Sequence, residues 1–308
     1  MAQELFLSSQ DLRDPYREEA YARCHEEQGA PFYLPQWDTW LLRRPIPGQN
    51  REDATGFYPA CRLGAQAHLK AGLEALSQQG MVSLSLVTDA FQDSTSLLRE
   101  ASVHRIFKTH YLVDLQEPAP LQFSRHHTYE IRRSPCEGAV ISFKDYLGEW
   151  MDLYTHLGER HHLSQGGQLS AKYFERLTEV PQLVAVGGFL EKKLVSMHVW
   201  IHDGTHVFSH VAASDPVGYD TGAAYVVNKT ALHFFASHPQ FSFQAIDLGG
   251  CVGPKDDPTQ GLARFKKGFS NHTAPVYLCG YVLDREAYHR LSPSPSPASD
   301  YFPAYRAL

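Results

Sequence analysis

Apolar residues recur at helical spacing from Leu63 to Leu76, Gly80 interrupts them, and the run MVSLSLVTD then alternates apolar and polar positions up to Asp89. Such a change of period predicts a helix followed by a strand with an acid at its end. The same pattern returns later. Gly222 and Ala223 open the helical run TGAAYVVNKTALHFFASH, Pro239 stops it, and FSFQAIDLGG follows as a strand with its acid at Asp247. An ungapped shift of 158 residues superposes Gly64-Ala65 on Gly222-Ala223 and Asp89 on Asp247, so element order, length and terminal acid all repeat. Ahead of the second copy, LVAVGGFL, KLVSMHVWIHD and THVFSHVAAS read as a hairpin or meander that turns at Asp203-Gly204. Strands, then a loop, a helix and a further strand predict an α/β (α+β) chain built as a tandem pair of units. Each is expected to be a mixed, mainly antiparallel sheet flanked by helices.

At 308 residues the chain is long for a single core, and two domains are expected, over 1–140 and 141–291. The aromatic and charged run DYLGEWMDLYTHLGERHHL joins them. Residues 292–308 open with alternating Ser-Pro, which favours an extended linker, and Tyr301, Phe302 and Tyr305 are placed to pack back on the first domain. With 43% apolar residues and a net charge of −6, the chain reads as a folded protein without a broad nucleic-acid-binding surface; RNA contact would have to be local, and DNA is not an expected partner. Five scattered cysteines without a Cys-x-x-Cys pair read as reduced thiols. The N-terminus lacks a signal-peptide pattern and no long apolar run occurs, so a cytoplasmic location without membrane insertion is expected.

Several positions bear chemistry. The loop ASDPVGYDTGAA leads from a strand into a helix, whose first N–H groups form a candidate anion cradle with Gly218, Tyr219, Thr221, Gly222 and Ala223. An ordinary helix start with a Thr or Asp cap fits the same residues. Arg125 and Arg132, with Arg133, His126 and His127, form the basic cluster of the first half, suited either to substrate phosphates or to a solvated turn. Among seventeen histidines, His161 in a glycine-rich loop and His210 on a strand are the candidate general bases. Trp200 and His198 alternate on the preceding strand and are expected to line a cleft, or else a half-buried sheet. The adjacent pairs His126-His127 and His161-His162 lack metal-ligand spacing, and no metal is expected.

The segments DLGGCVG, GLARFKKGF and VYLCGYVLDREAYHRL together resemble the Fem-type (FemABX) aminoacyl-tRNA-dependent transferases and the BioF-type GNAT acetyltransferase domains. KTHYLVDL and SRHHTYEIRRS resemble the corresponding first-domain segments, so the likeness runs from about Phe32 to Leu291. It implies two GNAT-like domains with an acceptor held between them. The family's Phe-Lys falls on Phe265 and Lys266, the lysine stabilising charge at the reacting centre, and its strand-end acid falls on Asp247. On an extended segment adjacent side chains point oppositely, so Lys266 is expected to face the site and Lys267 the solvent. The GNAT pattern for CoA, Gln/Arg-x-x-Gly-x-Gly/Ala, is kept here only from Gly222 onward, with Tyr219 at its first place. The expected activity is N-acyl transfer from an acyl-CoA to the amine of a small molecule, amino sugar or peptide. Aminoacyl transfer from charged tRNA is the alternative donor chemistry, and a non-catalytic GNAT-like binding module the other class.

Overall fold

The computed structural model describes residues 13–161, 168–251, 257–292 and 301–307. The Ser-Pro run and His162 lie outside them, as does part of DLGGCVG. Along the chain the elements are α1 (Glu19–Cys24), β1 (Ala30–Leu34), β2 (Thr39–Pro45), β3 (Glu52–Thr55), α2 (Leu69–Gln78), β4 (Met81–Val87), α3 (Thr95–Glu100) and β5 (Val103–Asp114). Then come α4 (Arg125–Arg133), β6 (Glu137–Ile141), α5 (Leu147–Arg160), α6 (Ala171–Leu177), β7 (Leu183–Leu190), β8 (Lys193–His202) and β9 (His206–Ser214). The chain continues through α7 (Pro216–Asp220), α8 (Ala223–Ala236), β10 (Ala245–Asp247), α9 (Gly261–Lys267), β11 (His272–Val282) and α10 (Arg285–Leu291). No described helix is long and apolar enough to cross a membrane.

The chain divides into two compact units, one built mainly on Thr109–Ala274 and the other on Tyr16–Lys108 with Pro275–Leu308. The division therefore does not fall at residue 140. It falls inside β5 and again inside β11, because each unit completes its sheet with a strand that follows the other unit's helix–strand repeat.

In the Thr109–Ala274 unit the strand order is β5-β10-β9-β8-β7-β6, antiparallel throughout except for the parallel pair β10–β9. The parallel pair needs a crossover, and α8 supplies it. Its Val226, Val227, Ala231, Leu232 and Phe235 are buried. All but Val226 form a core with Trp200, Val184, Ile246 and Phe269, and Val226 packs with Val195 and Ala223. Each fully buried side chain of this kind contributes about 1.5–3 kcal/mol. α8 packs on β8 and so does α5. Every residue of β8 after Lys193 is consequently buried. The polar positions of KLVSMHVWIHD thus do not mark a solvent face; helices cover both sides.

The other unit repeats this plan. Its order is β1-β2-β3-β4-β11, with β3–β4 parallel and the remaining pairs antiparallel. α2 is the crossover, and Leu76, Met81, Leu84, Leu86 and Tyr281 lie in its core. The repeat holds at the strands better than at the helix starts. Gly222 stands in the left-handed region (φ +69°) immediately before α8, whereas α2 begins only at Leu69, five residues after Gly64. The described C-terminal residues belong to this unit. Tyr305 bonds Ser83 Oγ at 2.7 Å and donates to Asp53 at 3.0 Å, while Arg306 donates to the same buried carboxylate at 2.6 Å.

Candidate active site

The site is built at the C-terminal end of β10, whose three residues lie between β9 and β5. Backbone pairing continues past the strand, with Leu248 N–H donating to Tyr111 O and Tyr111 N–H to Gly249 O. This fixes the chain as it turns. Asp247 is buried, and its Oδ1 accepts from Gly249 N–H at 2.7 Å, closing a turn of the kind Asp favours. Gly249 adopts φ +76°, open to glycine at no steric cost, and a Cβ there would stand 3.0 Å from Lys266 Nζ. The Asp-Leu-Gly-Gly sequence thus makes a turn that a lysine can approach closely.

Lys266 arrives from α9, a helix rather than the expected extended segment. Neighbouring side chains on a helix diverge by about 100° instead of pointing oppositely, yet the outcome separates the two lysines. Lys266 Nζ donates to Gly250 O at 2.7 Å and is half-buried, whereas Lys267 is exposed. Burial pushes the Lys266 ammonium down to about 8, against the opposing pull of Asp247 and Cys251. Phe269 is buried and Phe265 half-buried against the core, so the aromatic pair anchors α9. A second anchor comes from α4. His127 Nε2 donates to Phe265 O at 2.7 Å, its Nδ1 accepts from Ser124 Oγ at 2.8 Å, and a Cβ at Gly268 would collide with its ring.

Two further histidines stand at this strand end. His110 on β5 places Nδ1 2.7 Å from Asp247 Oδ2. Sequence reasoning missed it, because its partner is 137 residues away and no local pattern marks it. His198 on β8 bonds Ser209 Oγ through Nε2 at 2.8 Å. Burial first, and then the positive charge of Lys266, pushes it down to about 3, so it is held neutral.

The other sequence candidates are placed less uniformly. His210 is inside the unit, with Nε2 2.6 Å from Tyr173 Oη. It is also the extra residue of a bulge, since Val199 pairs with Val211 and Trp200 with Ser209. Trp200 is fully buried against His198 and Phe235; it is a core side chain and not a cleft-lining one, because α8 covers its face of the sheet. His161 is exposed at the C-terminal end of α5, and no contact to the Asp247 group is present among the described residues. Arg125 and Arg132 are exposed on α4, a helix rather than a turn.

The candidate anion cradle is organised differently from the expectation. α7 fills the loop, and Asp215 Oδ1 accepts from Gly218 N–H at 2.7 Å, so a carboxylate already occupies that helix start. Gly218 is a packing glycine, since a Cβ would stand 2.1 Å from Val195 O. Tyr219 lies under the Arg160 guanidinium at 4.0 Å, and the Thr221 hydroxyl donates back to Val217 O at 2.7 Å. At the start of α8, Ala223 is fully buried and a Glu130 carboxylate oxygen lies 3.6 Å from the position of a Cβ on Gly222. Two acids thus sit where phosphates were expected. Among the described residues no group of three or more His, Cys, Asp or Glu is placed to hold a metal ion.

No protein-family model matches the sequence. No curated protein matches it either. Solved structures do. A crystal structure of FemX superposes with a TM-score of 0.65 over 92% of this chain and 98% of its own, at 13% identity. The fold is Fem-like. The same Fem-like arrangement is similar to the C-terminal domain of a putative lysylphosphatidylglycerol synthetase from Agrobacterium fabrum, with a TM-score of 0.60, 10% identity and coverage of 88% and 89%. L-PGS from Bacillus licheniformis follows at 0.56, 12% identity and coverage of 90% and 94%. The Fem-like fold extends over both units, and at these identities the likeness concerns the fold alone.

Proposed function

We propose that this Fem-like chain is an acyltransferase that forms an amide on an amine acceptor, and that its donor is an aminoacyl ester of tRNA. The observation that carries the reading is Lys266, an ammonium held half-buried on Gly250 O beside the Asp247 turn. Acyl transfer to an amine passes through a tetrahedral oxyanion. A fixed positive charge stabilises it most where water is excluded, typically by a factor of about 10²–10³ for one well-placed donor. The half-buried ammonium retains two N–H groups without partners among the described residues, available to such an oxyanion.

The choice of donor reverses the sequence-based preference for acyl-CoA. A CoA pyrophosphate at the start of α8 would meet the Glu130 carboxylate, and Asp215 already caps α7. Each acid has a cationic partner, Glu130 in Arg133 at 2.8 Å and Asp215 in Lys193 at 3.6 Å, yet carboxylate oxygens and not open N–H groups face the space an anion would need at these helix starts. The names of the Fem-like neighbours, FemX and lysylphosphatidylglycerol synthetase, support aminoacyl transfer.

The test incubates the purified protein with a pool of radiolabelled aminoacyl-tRNAs and, separately, with acetyl-CoA, each with a panel of primary amines. Amide product and loss of donor are measured. Amide formation from charged tRNA, abolished in Lys266→Ala, is expected. Consumption of the thioester would reverse the choice of donor, and absence of binding and turnover with both would overturn the transferase reading.

A further inference from the structure

We propose that His110 is the general base of this transfer, taking the proton of the attacking amine on Nε2, and that Asp247 is its positioning residue. The inference rests on the transferase reading above. Its geometry is self-consistent. Both oxygens of the buried Asp247 carboxylate are committed, Oδ1 to Gly249 N–H at 2.7 Å and Oδ2 to His110 Nδ1 at 2.7 Å. An ionised carboxylate only accepts hydrogen bonds, so Nδ1 carries the hydrogen and, in the neutral ring, Nε2 is left with its lone pair. The backbone turn at Gly249 fixes the carboxylate, and the carboxylate fixes the ring. An acid that holds the tautomer of a catalytic imidazole in this way is the orienting part of an acid–histidine pair.

The other histidines of the unit are less suited. His198 Nε2 is engaged with Ser209 and His210 Nε2 with Tyr173, both on buried rings. The His110 side chain retains 12% of its surface, and its Nε2 has no hydrogen-bond partner among the described residues. A partly open, unengaged nitrogen is what an incoming amine requires. Lys266 from α9 lies within electrostatic reach of Asp247. His110 and Lys266 thus both meet the Asp-Leu-Gly-Gly turn, one at the Asp247 carboxylate and the other at Gly250 O.

The step balances without a further reactant. The neutral amine attacks the ester carbonyl, the C–N bond forms, and the amine proton passes to His110 Nε2. The oxyanion beside Lys266 then collapses, the bond from carbonyl carbon to ribose oxygen breaks, and the imidazolium returns its proton to that oxygen. The products are an amide and a free ribose hydroxyl.

Two measurements on the full chain test this. In long-range ¹H–¹⁵N spectra of protein labelled at histidine, with His110 assigned by its loss in His110→Gln, the Nδ1–H tautomer is expected; an Nε2–H tautomer would overturn the proposal. With the donor that the wild type consumes, His110→Gln is expected to lower kcat by about 10²–10³-fold with donor binding unchanged within about twofold. His110→Ala is expected to recover activity with added imidazole. If transfer is demonstrable and His110→Gln keeps kcat within threefold, the base assignment fails while the transferase reading stands. If the wild type consumes neither donor, the transferase reading fails and the spectrum alone decides the pair.

Discussion

The two units share a strand plan and use their matching acids in opposite ways. Asp247 ends β10 in contact with a histidine whose other nitrogen has no hydrogen-bond partner among the described residues. Its repeat partner Asp89 follows β4 and is closed by Arg62 at 2.9 Å, both side chains buried. Where the first unit sends Lys266 from α9 toward its strand end, the corresponding α3 carries Arg99 and Glu100, which pair with each other at 3.4 Å. The unit with Asp89 also ties Asp53 to Arg44, Arg306 and Tyr305. One copy neutralises its acids with arginines, and the other leaves its acid among groups that can exchange a proton. A repeated fold therefore need not repeat a site, because a single guanidinium can turn a strand-end acid into a structural tie.

Changing residues on each side should sharpen the contrast. The largest effect is expected from Arg62→Ala, which removes the guanidinium paired with a buried carboxylate; chemical denaturation should show a loss of about 3–5 kcal/mol, with activity per folded molecule unchanged. Acid should act on both units. Burial holds His25 at about 4, His202 at about 4 and His198 at about 3. Their folded values lie below the unfolded one, so the unfolded state takes up protons first. Stability is then full above about pH 6.5 and falls as pH drops toward 4, by about 1.4 kcal/mol per histidine per pH unit. Urea midpoints across pH 7 to 5 check this; a flat profile would contradict the burial of these rings.

Lys266→Ala should lower kcat by about 10²–10³-fold with the circular-dichroism spectrum unchanged. Activity should also fall as pH rises through about 8, where the ammonium loses its proton. Because its folded pKa is depressed, keeping Lys266 charged costs stability at neutral pH. Lys266→Met should therefore raise the unfolding free energy measured by chemical denaturation, by about 1–3 kcal/mol after allowance for partial exposure. The smallest effect is expected at Lys267, exposed one position further along the helix: Lys267→Ala should leave kcat within about twofold, and an equal loss at both lysines would erase the distinction.

Much of the fold was legible because it rests on periodicity. The crossover helices, the strands that follow them and the hairpin at Asp203-Gly204 announce themselves within a few residues. The strand exchange does not, since no local pattern says that 112–114 pairs with β10 or that 278–282 pairs with β4. The site divides along the same line. Asp247 and Lys266 carry a motif within twenty residues of sequence, while His110 joins them only through β-pairing across 137 positions. Trp200 misled because alternation in β8 looks like a two-faced strand until helices cover both faces. What surrounds the glycine loop was not legible either, because Glu130, beside Gly222, lies on α4, far away in sequence.

The exchanged strands also bear on how the protein is made. While the first 270 or so residues emerge from the ribosome, β4 lacks the partner it will meet at Leu278–Val282, and its Ser83–Val87 edge stays unpaired. An unpaired edge in a nascent chain is an invitation to wrong pairing. Neither half can be cut out at residue 140 and expected to fold, and a ribosome stalled before β11 would hold one sheet with all its strands and one still lacking its last.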